Sequence, residues 1–123
     1  MDMISMRAVV EKICNGRILV IGDLLLDRYL SGTTSRISPE APVPIVRVDN
    51  TIERIGGAGN VAANAATLGA SVSLVGQVGD DADGAQIEQI SRSLGIECGL
   101  VKSADYSTIV KTRVVSQGQQ MLR

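Results

Sequence analysis

Apolar and polar positions along the chain follow two rhythms and one irregular stretch. "RILVIGD", 17–23, is an unbroken apolar run closing on Gly-Asp, the pattern of a strand covered on both faces. "SVSLVGQVG", 71–79, and "IECGLV", 96–101, predict further strands, and "STIVKTRVVS", 107–116, alternates with period two. Helical spacing governs the segments between them. One helix is predicted from about Ala58 to Leu68, stopped by Gly69. "DDADGAQIEQISRSLG" gives another, with Ile87, Ile90 and Leu94 on one face and Gly95 as its stop. "MDMISMRAVVEKICNG" predicts a short amphipathic helix with Ser5 as N-cap, Val9 and Ile13 on one face, and Gly16 at its end.

The irregular stretch is "LLLDRYLSGTTSRISPEAPVPIVRVDNT", 24–51. Pro39, Pro42 and Pro44 exclude both a helix and a central strand there, which leaves extended edge strands or a flap, and a flap beside the main sheet fits best. The order strand, flap, helix, strand, helix, strand, strand predicts an α/β domain with a largely parallel sheet. At the end of the chain, Gly118 in "QGQQMLR" is placed to turn a hairpin. A sheet of so few strands with an unpaired edge is small for its class. The expectation is therefore the N-terminal portion of a larger domain, with exposed apolar surface.

Composition removes several classes of chemistry. The 123 residues suit one domain, and an apolar fraction of 45% with a net charge of −1 fits neither a disordered chain nor a polyanion binder. With no Phe or Trp, and only Tyr29 and Tyr106, the core must be aliphatic and stacking on nucleic-acid bases has almost no aromatics to use. The absence of His excludes a Ser-His-Asp triad, a His-paired cysteine and His-ligated zinc. Cys14 and Cys98 have no metal spacing and are expected to be unpaired buried thiols in a reducing cytosol. Arg7, Glu11 and Lys12 interrupt the N-terminal apolar positions, against a signal peptide or a membrane span, so the expected location is cytoplasmic.

Four groups of residues carry candidate chemistry. Gly56, Gly57 and Gly59 precede or open a helix of small residues, where positive φ and bare peptide let a ligand approach; Asn60 would then present an amide to ligand hydroxyls. Close helix–sheet packing explains the same glycines equally well. Gly57 to Ala62 also spell G-x-G-x-x-A, with Asp80 or Asp81 about 20 residues on, but the preceding "VDNTIER" is too polar for the buried parallel strand that a dinucleotide fingerprint requires. Asp23 and Asp27 flank "LLL" at the exit of the first strand, where ligands gather in open α/β sheets; either alone is also an ordinary turn aspartate. Asp80, Asp81 and Asp83 resemble a calcium loop, yet Ile90 stands where a bidentate Glu belongs, so helix capping explains them better. Lys111 and Arg113 point to one face of a strand and suit either a phosphate or solvent.

Taken together, "GDLLLDRY", "TSRISPEAPVPIV" and "GGAGNVAANAATLGASVSLVGQVGDD" resemble the ribokinase-like (PfkB-type) carbohydrate kinases, over about Arg17 to Arg123. Within that family, "SRISPEAPVP" with "GDLLLDRY" is most similar to members that act on D-glycero-β-D-manno-heptose 7-phosphate, often as the first half of a bifunctional kinase–nucleotidyltransferase making ADP-heptose for lipopolysaccharide core. The resemblance implies a ribokinase-like three-layer α/β sandwich with a β-strand lid, present here as its N-terminal portion. It implies transfer of the γ-phosphoryl of Mg-ATP to the anomeric hydroxyl of heptose 7-phosphate. It implies further that Asp27, Gly57 and Asn60 bind sugar hydroxyls, and the reading of the residues adds Asp23 and Gly56 beside them. By the same resemblance Lys111 and Arg113 fall where a 7-phosphate would be held, and the flap and "TIVKTRVV" form a lid that often makes a homodimer contact. The family's catalytic Asp lies in a late "DTxGAGD"-type motif, which these residues do not contain, and they hold no P-loop. The expectation is a sugar-side half of an active site that does not catalyse the reaction alone.

Overall fold

The computed structural model describes residues 3–123. In chain order the elements are α1 (Met3–Ile13), β1 (Arg17–Ile21), β2 (Leu24–Ile37), β3 (Pro44–Gly57), α2 (Ala58–Thr67), β4 (Ser71–Gly79), α3 (Ala82–Ser93), β5 (Glu97–Ser103), β6 (Ile109–Ser116) and β7 (Gln119–Leu122). They form a parallel sheet of order β1-β4-β5 and a mixed sheet of order β3-β2-β6-β7, the lid. The Ser5 side chain, expected from the sequence as the N-cap of the first helix, lies outside the described ones.

Alternation along the parallel strands puts Val20, Val72, Leu74 and Val78 on one face, where they meet Ala62 of α2, Ile87 of α3, and Leu24, Leu26 and Ile55 at the base of the lid. Each large aliphatic side chain fully buried there contributes about 1.5–3 kcal/mol. Alanine and glycine let α2 come close: Gly59 and Ala62 are its buried positions, and a Cβ on Gly59 would press on the Ile55 side chain. The opposite face is bare, with Leu19 60%, Ile21 69% and Val101 60% exposed. The expectation that "RILVIGD" is covered on both faces is therefore corrected, because α2 and α3 both pack on the same side. The exposed apolar surface expected from the sequence is this face.

The flap is a long antiparallel hairpin of β2 and β3, 14 residues each. Pro39 and Pro42 sit in its tip, closed by the Ser38 N–H donating to the Val43 carbonyl at 2.8 Å, and Pro44 opens the edge strand β3, where a missing N–H is tolerated. "STIVKTRVVS" is not a fourth strand of the parallel sheet; β6 runs parallel to β2 within the lid. A polar knot redirects it. Thr108 donates to Asp81 from its N–H (2.9 Å) and its hydroxyl (2.7 Å), and accepts from the Gly79 N–H at 2.8 Å. Asp81 also accepts from the Gly84 N–H at 2.7 Å, capping α3. These bonds join the end of β4, the start of α3 and the start of β6. β7 then returns through Gln117 and Gly118, both at positive φ (51° and 77°). Both cysteines are free thiols, but neither is buried as expected: Cys14 is exposed and Cys98 half-buried.

Candidate functional site

The candidate site lies where the chain leaves the parallel sheet for the lid. Beyond β1, the Gly22 N–H donates to the Val75 carbonyl (3.2 Å) and the strand then turns at Asp23. The Asp23 carbonyl accepts from the Ala58 N–H at 2.9 Å, so the first turn of α2 is anchored at the same corner. Gly57 connects the two with φ 60° and ψ −132°, and a Cβ there would fall on the Asp23 carbonyl oxygen. At Gly56 the missing Cβ is replaced by the ends of two lid side chains, with Asp27 Oδ2 only 2.5 Å from where it would stand. Each glycine thus has a packing reason of its own. Together they bring a carboxylate against the peptide that leads into α2.

Asn60 stands in the first turn of α2, exposed to solvent, and its side chain makes no hydrogen bond among the described residues. Asp23 is exposed as well, its contribution to the corner coming from its backbone. Asp27 is half-buried and held from the lid: Arg113 Nη1 donates to Asp27 Oδ1 at 2.9 Å and to the Tyr29 hydroxyl at 2.8 Å. The guanidinium also lies 4.9 Å from the centroid of the Tyr29 ring, within cation–π range. Asp27 therefore has one oxygen tied to Arg113 and the other directed at Gly56.

Lys111 and Arg113 do share a face, as the period-two pattern predicts, but they do not act alike. Lys111 is exposed and stands directly across from Asp27 in register; Arg113 is two residues further along and committed to Asp27. Two residues of this face escape sequence reasoning. Tyr29 orients Arg113, and Arg54 of β3 pairs with Asp27 from the side opposite Lys111. The signal for Arg54 was alternation continuing to Gly57, masked because the polar "VDNTIER" does not resemble a strand.

Two of the three aspartates after β4 are spent on structure, while Asp80 is exposed. Asp81 caps α3, and the hydrogen bonds from the Thr108 N–H, the Gly84 N–H and the Thr108 hydroxyl hold its carboxyl below the usual range. Asp83 accepts from Arg28 Nη2 at 2.5 Å, while Arg28 Nε donates to Glu53 at 2.7 Å. Among the described residues no His, Cys, Asp and Glu side chains gather in a set that would hold a metal. The G-x-G-x-x-A stretch is entered from an antiparallel edge strand of the lid, not from the parallel strand that a dinucleotide site uses.

Sequence and structure comparisons agree on one neighbourhood. The profile described as "pfkB family carbohydrate kinase" matches residues 15–122. The D-beta-D-heptose 7-phosphate kinase of Bordetella bronchiseptica is 50% identical over 113 residues, covering 92% of this chain and 36% of that protein. The bifunctional protein HldE of Methylococcus capsulatus is 53% identical over 107 residues, covering 87% of this chain and 23% of that protein. The chain thus spans about a quarter to a third of the length of these relatives. Among solved structures, a carbohydrate kinase from Agrobacterium tumefaciens superposes with a TM-score of 0.69 at 25% identity, covering 87% of this chain and 34% of that one. Phosphofructokinase-2 from Escherichia coli in complex with fructose-6-phosphate gives a TM-score of 0.62 at 24% identity, with coverage of 85% and 33%. The fold is ribokinase-like, present as a partial N-terminal portion with α/β layers and a strand lid.

Proposed function

The chain belongs to the pfkB family of carbohydrate kinases, and on that premise we propose that it supplies the sugar side of a kinase acting on heptose 7-phosphate. The reaction would place a phosphoryl group on the anomeric hydroxyl, giving the 1,7-bisphosphate, as a step toward ADP-heptose. Support for the substrate comes from a relative named D-beta-D-heptose 7-phosphate kinase at 50% identity. The single observation that carries a polyol site is the Asp27 carboxylate set against Gly56 at the turn into α2, with Asn60 free in the first turn. A carboxylate accepts hydrogen bonds and an amide both donates and accepts, which is what neighbouring hydroxyls need. Arg113 fixes the carboxylate's orientation, leaving Oδ2 toward the corner. Asp23 and the Gly56–Gly57 peptide complete the set.

Mg-ATP would supply the phosphoryl group; the described residues include no cluster for the metal, so none is given that role. On this proposal residues 1–123 form the substrate-side half and lid of one kinase domain, and the nucleotide side and general base come from elsewhere in it. A groove of about 470 Å³ on the lid, lined by Val43, Pro44, Val46, Val48, Val114, Met121 and Leu122, supports the lid as the homodimer contact. It also favours the second reading, a dimerising module without chemistry. No helix among the described residues is long and apolar enough to cross a membrane, and a cytoplasmic location belongs to the proposal. The test is calorimetric titration of heptose 7-phosphate into the protein and its Asn60→Ala and Asp27→Asn variants. Each variant should bind about tenfold or more weakly, as expected for a lost hydrogen bond in an occluded site. Wild-type affinity in both would remove the site assignment, and substrate-dependent phosphoryl transfer by the kinase would remove the second reading.

A further inference from the structure

Asp27 and Asn60 stand on different layers, one on β2 of the lid and the other in the first turn of α2 in the body. Both strands of the lid hairpin meet the body at one corner. β2 arrives through Gly22 and Asp23, and β3 leaves through Gly57, whose φ of 60° favours a residue without a side chain. Asp27 pairs with Arg54, three residues above the Leu24–Gly57 row, so it stands about 10 Å out from that corner. At such a radius a lid tilt of about 10° carries the carboxylate about 2 Å, more than a hydrogen bond survives. The site therefore needs a second tie between lid and body.

That tie lies on the opposite face of the same strand. Alternation puts Leu24, Leu26 and Arg28 on the core-facing side of β2; the two leucines are buried, and the arginine reaches to α3. Arg28 Nε donates to Glu53, its register partner on β3, at 2.7 Å, which aims the guanidinium. Its Nη2 then donates to Asp83, in the first turn of α3, at 2.5 Å. The Glu53 end stays within the lid, and the Asp83 end crosses to the body. All three side chains are partly buried, so water and salt screen the pair less than an open surface bridge. Without the guanidinium, an acid on the lid and an acid on the body would be left to repel each other. We infer that Asp83 is a positioning residue for the sugar site: through Arg28 it holds the lid against α3 and so sets where the Asp27 carboxylate stands relative to Asn60. The inference rests on the sugar-kinase proposal and adds a residue outside the site, one whose side chain is bonded to Arg28 alone among the described residues.

The test titrates heptose 7-phosphate by calorimetry into the protein and its Asp83→Asn, Asp83→Glu, Arg28→Met and Arg28→Met/Asp83→Asn variants. Amide exchange of the sugar-free proteins is followed in parallel. Asp83→Asn should weaken the sugar phosphate about three- to fivefold, the size of one partly shielded ion pair. Asp83→Glu keeps the carboxylate and should recover most of that affinity. In the Arg28→Met background Asp83→Asn should cause no further loss, because the two residues act through one bond. Exchange in Asp83→Asn should quicken across 24–37 and 44–57 and stay unchanged in β4 and β5. Full additivity of the two substitutions, or wild-type affinity in Asp83→Asn while Asn60→Ala binds weakly, would overturn the clamp and leave the sugar site standing. Wild-type protein without affinity for the sugar phosphate would sink the sugar reading instead. Quickened lid exchange in Asp83→Asn would then still support the clamp, and unchanged exchange would overturn it as well.

Discussion

Gly57 and Gly56 differ in what an added methyl would meet, and that difference separates stability from binding. Gly57 has φ 60° and faces the Asp23 backbone carbonyl, so Gly57→Ala must move main chain at the corner. It should cost about 1–3 kcal/mol in urea denaturation. Gly56 faces only the movable ends of Leu25 and Asp27. Gly56→Ala should unfold nearly as late as wild type while weakening sugar binding, because it pushes the Asp27 carboxylate aside. Equal stability losses in the two variants would show that the corner is not held as described. Asp81 makes a pH-dependent contribution. Its folded-state carboxyl is held down by the Thr108 and Gly84 hydrogen bonds, so it binds its proton less readily than in the unfolded chain. The stability it adds is present above about pH 4 and fades as pH falls through the lower folded value. Asp81→Ala should therefore be less stable than wild type at neutral pH, and the gap should close in acid. A gap constant across pH 2–7, followed by chemical denaturation, would contradict this.

At the scale of elements, the lid hairpin was legible from its prolines, and its role was not legible from its length. Pro39, Pro42 and Pro44 ruled out a helix and fit the tip and the edge strand β3, yet β2 runs inside the lid sheet against the expectation, and nothing in "VDNTIER" announced that β3 would continue to Gly57 in register with β2. Apart from Glu53, which accepts from Arg28, its polar residues face solvent on a strand at the sheet edge, where no burial is needed to keep it extended. For the same reason Arg54 was invisible as a neighbour of Asp27. β6 was recognised as a strand, but only the family resemblance put it in the lid; its own pattern suggested the parallel sheet, because period-two alternation states that one face is buried and not against which layer. The buried Thr108, caught between Asp81 and Gly79, makes that choice through hydrogen bonds that no hydrophobic pattern records. Arg28 is the ion-pair link between lid and body among the described residues, joining β2 and β3 to the first turn of α3. Its side chain is 28% exposed, so removing it leaves two half-screened acids. Arg28→Met should cost about 1–2 kcal/mol. Hydrogen exchange should quicken across 24–37 and 44–57 while the amides of α3 keep their protection. Uniform quickening in lid and body would mean that Arg28 stabilises the fold as a whole and does not hold the lid.

For the whole molecule, the decisive feature is a parallel sheet with one covered face. Leu74 and Val78 are fully buried beneath α2 and α3, whereas Leu19, Ile21 and Val101 on the reverse are 60%, 69% and 60% exposed. Those three lie on strands that bracket β4, whose residues on this face are Ser73, Val75 and Gln77, so Val75 joins Ile21 to the middle of an apolar surface that polar positions interrupt. Soluble chains seldom leave such a surface open, since water gains from its removal in proportion to the area withdrawn. The 123-residue chain by itself should bind a hydrophobic dye and associate as its concentration rises, seen by light scattering. Ile21→Thr with Val101→Thr should reduce both signals with little change in melting temperature, because neither side chain packs in the core. Leu74→Ala acts on the covered face and should cost about 2–5 kcal/mol without reducing association. Should the threonine pair destabilise the chain as Leu74→Ala does, the reverse face is already packed in solution and is not the open surface described.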